Sequence, residues 1–226
     1  LNELMALNEI DPKTRSRRER FEPLEIIRVG TCGILQEDVP LGASVISSYA
    51  VGMDNTGLFY DLEYPDRDSQ YVEECIASAI DSAIPSSSRF RGRIHPYVAK
   101  ADVGLLSMLR SAGEEQGVRC IEGITISCSG FFAPQGRHVG RVPLTIPDID
   151  LHLSNVRFPV PGLRVINMEM EASQLFHFAR GHGYRAAAIC AGVSNRRADT
   201  FVTRAQDAVS DAIRVAVRAL ELSAGG

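Results

Sequence analysis

No run of apolar residues in this 226-residue chain approaches the roughly 18 needed to cross a bilayer, which argues against a membrane as partner. Positive charge is in deficit. With 24 Lys and Arg against 28 Asp and Glu, the net charge of -4 offers no broad basic surface to a nucleic-acid polymer. Cysteine is sparse and unpatterned: Cys32, Cys75, Cys120, Cys128 and Cys190 are odd in number, far apart and never in a CxxC pair. Neither a disulfide framework nor a zinc site is indicated, and no other cluster suggests a metal ligand set. No secretory or transit signature and no internal repeat is present, so the chain is expected to be cytoplasmic. What remains, 45% hydrophobic and 23% charged residues, is the composition and length of one ordinary or large globular domain.

Periodicity predicts alternating strands and helices. The β-branched stretch 24–30 predicts a strand with Arg28 at its end, followed by a loop holding Gly30 and Gly33; residues 44–51 predict another strand. Residues 54–93 read as a surface excursion with a helix over 71–83. One-faced spacing of Ala101, Leu105, Met108, Leu109 and Ala112 predicts a helix, punctuated by Gly117 before a strand over 118–127. The proline-rich segment 130–161 reads as a long loop, which in a compact domain is more often functional than idle. A strand at 164–166, a helix over 169–181 and a strand over 184–193 follow. Ala205, Ala208, Val209, Ala212, Ile213, Ala216, Val217 and Leu220 then form the apolar stripe of a last helix, closed by two glycines. The expectation is a single α/β domain spanning 1–226, with a mixed, largely buried β-sheet flanked by helices. Leu1, Leu4 and Met5 already show helical spacing with no cap before them, so the chain reads either as a processed start on a complete domain or as a start inside a helix.

Four clusters could carry chemistry. Arg28 with Gly30-Thr31-Cys32-Gly33 suits a phosphate or carboxylate, because glycines let backbone amides approach an anion; an arginine paired with an internal acid beside an ordinary turn fits as well. Phe131-Phe132-Ala133-Pro134-Gln135-Gly136-Arg137 offers an aromatic face, an amide and a forked guanidinium, the groups that bind a pyrimidine dione; aromatics folded under a turn are the bland alternative. Glu169-Met170-Glu171 sits at a helix start, where acids complement the helix dipole. Both carboxylates could reach the vicinal hydroxyls of one ribose only if Glu169 precedes the helix proper, since residues two apart do not share a helical face. Ser194-Asn195-Arg196 lies just past a strand, where open α/β sheets bind ligands, or else caps a helix beside a solvated arginine.

In this order the clusters resemble the uridine phosphorylase branch of the nucleoside phosphorylase family over essentially the whole chain. The run from Arg28 to Gly33 resembles the family's phosphate loop, Thr125 to Arg137 its base-binding segment and Asn167 to Glu171 its ribose-binding segment. The resemblance implies that Arg28, Gly30 and Thr31 bind phosphate. It implies a base site of Phe131, Gln135, Arg137, Asn195 and Arg196. Thr31, Glu169, Met170 and Glu171 would line the ribose site, Glu171 holding the hydroxyls, and Arg28, Arg137 and Glu171 would be the catalytic groups. Family members carry, before the strand with Arg28, further strands, a second phosphate loop with its own arginine and a histidine lent to the neighbouring subunit. The resemblance therefore implies a domain lacking its amino-terminal strands and a chain that alone shows little phosphorolysis. Purine phosphorylases have an aspartate that protonates the leaving base, and Asn195 occupies the equivalent position.

The implied reaction is phosphorolysis of uridine, or a related pyrimidine nucleoside, to uracil and ribose 1-phosphate. Phosphate is the co-substrate, no metal or organic cofactor is required, and the complete protein is expected to be a homo-oligomer, dimer or hexamer. Two other readings stand beside it: a purine phosphorylase or water-using nucleosidase of the same fold, and a catalytically inactive fragment or binding module.

Overall fold

The computed structural model describes residues 1–225. In chain order the elements are α1 (Asn2–Glu9), β1 (Glu25–Ile34), β2 (Ser44–Gly52), α2 (Arg67–Ala83), β3 (Tyr97–Lys100), α3 (Val103–Glu115) and β4 (Cys120–Ser127). Then come α4 (Ile149–Ser154), β5 (Val165–Glu169), α5 (Ala172–Gly181), β6 (Arg185–Asn195), β7 (Thr200–Phe201) and α6 (Ala205–Ala224). Two of the helices are capped by an aspartate side chain. The Asp66 carboxylate accepts the Ser69 amide at α2, and Asp102 accepts the Leu105 amide at α3, each satisfying a donor the helix leaves free.

The strands form one mixed sheet in the order β3-β2-β4-β5-β1-β6-β7. β1 runs parallel to β6 and antiparallel to β5, while β4 runs parallel to both β2 and β5. The sheet is not open. Ser44–Ile46 of β2 also pairs antiparallel with Ile189–Ala191 of β6, so five strands close on themselves and β3 and β7 hang from the ring. Every residue of β2 is buried, because the strand has partners along both edges and helices over it.

Alternation divides the apolar side chains among three clusters. Cys32, Ile34, Val45, Ile166 and Cys190 meet inside the ring. Ile46, Ala187 and Ile189 turn outward to Leu105, Leu109, Phe176 and Val215 on α3, α5 and α6. Ile124 and Ile126 turn to Val72, Ile76 and Leu153 on α2 and α4. Phe176 is 1% exposed in the second of these. Phe176→Ala is therefore expected to cost about 3–5 kcal/mol, measurable as a lowered midpoint in urea unfolding.

Several elements differ from the sequence expectation. β1 does not stop at Arg28: the ladder with β6 carries on through Gly30, Thr31 and Gly33 to Ile34, so the expected glycine loop is strand. The expected loop 130–161 contains a single 3-10 turn, Ala133–Gln135, and helix α4. β3 and β7 are too short for their periodicity to register, and β6 runs on to Asn195. Only the alanine side of the α6 stripe is covered, since small residues let this helix approach β1 and β6 closely; Ile213, Val217 and Leu220 remain exposed.

Candidate active site

Among the described residues the backbone ladder between β1 and β5 is confined to Gly33–Met168 and Ile34–Asn167. Beyond Gly33 they part, and the gap between Arg28–Cys32 and Glu169–Glu171 becomes a cavity of about 250 Å³. Phe131, Gln135 and Arg137 close one end of it. Val193 and Ser194 both face it, because a bulge opposite Cys32 and Gly33 skips Val193 in the β1–β6 register. Phe201 of β7 lies across its mouth, 73% exposed.

At the other end stands Arg28, 20% exposed at its side chain and held from three directions. One guanidinium nitrogen lies 3.2 Å from Glu169 Oε2 and 3.1 Å from Cys190 Sγ; the other forms an ion pair with Glu171. Burial works against the charge, but Cys190, Glu169 and Glu171 together outweigh it and hold Arg28 above the ordinary arginine value. Gly30 explains the geometry. A Cβ there would come within 2.3 Å of Arg28 Nη1, so glycine is present to let the guanidinium lie across the strand, not to expose an amide. Gly30→Ala is thus expected to lower the melting temperature modestly, because the guanidinium must move away from the buried Glu169, which keeps its hydroxyl and amide donors. It is expected to weaken inorganic-phosphate binding about tenfold or more, the scale of one charge-assisted contact, as read by calorimetric titration.

The two glutamates do different work. Glu169 ends β5, before α5 begins at Ala172, so the condition for both carboxylates to share one site is met. Its side chain is 1% exposed and fully engaged. It accepts the Ser127 hydroxyl, the Glu171 amide at 2.9 Å and the Ala172 amide at 3.1 Å, capping α5 from the preceding strand. Ser127 in turn accepts the Ser173 amide, and the Ser173 hydroxyl donates to Asp54 at 3.1 Å. The Glu171 side chain is 58% exposed, caps nothing and has Arg28 as its one hydrogen-bonding or ion-pair partner among the described residues, which leaves it capacity for hydroxyl donors.

At the opposite end Arg137 Nη1 donates to the Phe131 carbonyl at 2.6 Å and to Gln135 Oε1 at 2.7 Å. Its Cζ lies 3.9 Å from the Phe131 ring centroid, a cation–π stack. Gln135 is buried, its oxygen is bound to Arg137, and its amide hydrogens have no partner among the described residues. Burial, then repulsion from Arg196, pulls Arg137 below the ordinary arginine value. Arg196 is itself lowered by burial, partly offset by Asp150 at 3.7 Å.

The structure therefore gathers Arg28, Thr31, Phe131, Gln135 and Arg137 with Glu169, Met170 and Glu171 around one cavity. Gly30, Asn195 and Arg196 do not line it. Asn195 is neither beyond a strand nor a helix cap: its amide nitrogen donates to the carbonyls of Gln36 and Val39, and its oxygen accepts the amides of Arg197 and Ala198. All four positions are taken by backbone. Arg196 is not solvated but buried beside Met168 and Asp150. Ser127 and Cys190, which fix Glu169 and Arg28, went unread in the sequence, because only the strand registers Ser127–Glu169 and Gly30–Cys190 bring them there.

The sequence model of the phosphorylase superfamily matches residues 18–221. A uridine phosphorylase of Thermococcus kodakarensis is 30% identical over 175 residues, covering 77% of this chain and 50% of that protein. The present chain thus spans half the length of that relative. A Trypanosoma brucei nucleoside phosphorylase whose crystal structure is described as showing uridine phosphorylase activity superposes with a TM-score of 0.86 at 28% identity. That match covers 98% of this chain and 75% of the trypanosome chain.

Proposed function

This chain belongs to the phosphorylase superfamily, and from that premise we propose that its cavity performs phosphorolysis of a pyrimidine nucleoside, uridine above all, giving uracil and ribose 1-phosphate. The observation that carries the reading is the pairing of Gln135 with Arg137 at one end of a cavity whose other end holds Arg28 and Glu171. Breaking the bond from C1′ to the base leaves electrons on the base and cationic character on the sugar. Binding that favours both charges in the transition state accelerates the step.

Arg137 and the free amide hydrogens of Gln135 are donors, suited to carbonyl oxygens and to the negative charge that develops on a dione as it leaves. Arg196 behind them adds positive potential. Such a base needs no strong general acid. Glu171 would hold the ribose hydroxyls, and phosphate at Arg28 and Thr31 would attack C1′ from the face opposite the base while its charge stabilises the cationic sugar. The likeness to the Thermococcus and Trypanosoma proteins supports the same substrate class.

The test is incubation with uridine, with and without inorganic phosphate, followed by chromatography for uracil and ribose 1-phosphate. Release of uracil that depends on phosphate is expected. Release of free ribose without phosphate would instead make the protein a nucleosidase.

A further inference from the structure

Arg28, Met170 and Glu171 line two cavities at once: the one of about 250 Å³ described above and a larger one of about 650 Å³ behind it. They form the wall between the two. Within that wall the two carboxylates on Arg28 are unequal. Glu169 is fixed by the Ser127 hydroxyl and the first amides of α5, whereas the exposed Glu171 side chain has no partner but the guanidinium among the described residues. We propose that Glu171 is an exchangeable counter-ion, which occupies the anion position of Arg28 in the free protein and releases it when ribose hydroxyls bind, so that nucleoside and phosphate bind cooperatively.

A phosphate dianion arriving at Arg28 meets a carboxylate already paired there, and two anions on one guanidinium repel. Hydroxyls are hydrogen-bond donors, and a carboxylate that accepts two of them has a substitute for the arginine N–H it gives up. Each ligand therefore removes part of the obstacle to the other. Linkage requires the coupling factor to be the same in both directions.

The proposal rests on the phosphorolysis reading above, and the experiment separates the two. Inorganic phosphate is titrated calorimetrically into the protein, alone and with saturating carbocyclic uridine, whose methylene in place of the ring oxygen prevents cleavage. Carbocyclic 2′,3′-dideoxyuridine, which keeps the base and lacks the hydroxyls, is the control. Carbocyclic uridine is expected to tighten phosphate about tenfold, within the usual span of coupling between sites, and the dideoxy compound to leave it unchanged. Phosphate is expected to tighten carbocyclic uridine by the same factor.

In Glu171→Gln, phosphate alone is expected to bind about threefold to fivefold tighter than in the unmodified protein, and the effect of carbocyclic uridine to fall below about twofold. Glu171→Ala, which brings no new donor, is expected to shift in the same direction. Since this side chain is exposed and caps nothing, both variants retain the fold, which a thermal melt checks. Unchanged or weaker phosphate binding in both variants overturns the exchange, as does tenfold coupling that survives in them. If uridine is cleaved with phosphate and yet coupling is absent, the exchange alone fails. If phosphate binds under no condition and uridine is not cleaved, the phosphorolysis reading falls with it.

Discussion

Replacing Arg28 with Ala is expected to lower kcat/KM for phosphate by about three orders of magnitude or more. Two effects act in the same direction. The anion loses its guanidinium, a loss of about 1.5–3 kcal/mol for a charge-assisted contact and more where the site is partly desolvated. Glu169 and Glu171 then face the incoming dianion without compensation, and Glu169, with 1% of its side chain exposed, cannot turn away. Arg28→Lys keeps one charge but cannot span Glu169, Cys190 and Glu171 with a planar fork, so it is expected to restore only a small part of the loss. Single-turnover measurement with varied phosphate checks both variants. Activity within tenfold of the parent in Arg28→Ala would remove Arg28 from the phosphate site.

The second large effect concerns the base. Uridine is expected to exceed inosine by about 10⁴ in kcat/KM, a ratio within reach of a site that reads one hydrogen-bonding edge through buried polar groups. Asn195 does not supply this discrimination, since its amide is fully used in holding the backbone of residues 36–39 and 197–198. The discrimination is assigned to Gln135 and Arg137 and to the lack of a free acid at their end of the cavity, where Asp150 is engaged by Arg196. Cytidine is expected to be a poor substrate for a related reason: its 4-amino group presents hydrogens to a donor set. Arg137→Lys loses the bond to Phe131 or Gln135 and the stack on the Phe131 ring, and at least about a tenfold drop with uridine is expected. Equal rates on uridine and inosine would remove the pyrimidine assignment.

The hydrophobic periodicity made most of the longer elements legible. The stretch around Ile26 and Val29, the alanine-rich run before Cys190 and the stripe of α6 each read as the element they form. Glycine misled. Gly30 and Gly33 read as a loop because glycine is depleted in strands, yet Gly30 lies in the ladder to make room for a side chain two residues earlier, a reason no local pattern carries. Closure of the sheet through Ser44–Ile46 and Ile189–Ala191 depends on partners far apart in sequence. Most of the residues that line the cavity were legible as candidates, because stacking, anion binding and hydroxyl binding would each demand particular groups. Which of two neighbouring carboxylates is free and which is committed was not, since that depends on the amides of α5 and on Ser127 across the β4–β5 register.

The buried thiols have a practical consequence. Cys190 holds Arg28 from inside the ring of strands, and its hydrogen bond to Cys32, then burial, pushes the Cys32 thiol well up; burial likewise pushes Cys128 up to about 12. Enclosed as they are, these three sulfurs are poor targets for alkylating reagents while the strands stay paired. Cys75 and Cys120, which are less enclosed, are left to react first. Slow labelling at Cys32 and Cys190 then acts as a clock for the separation of β1 from β6: it times how often the floor beneath Arg28 comes apart, with no substrate present at all.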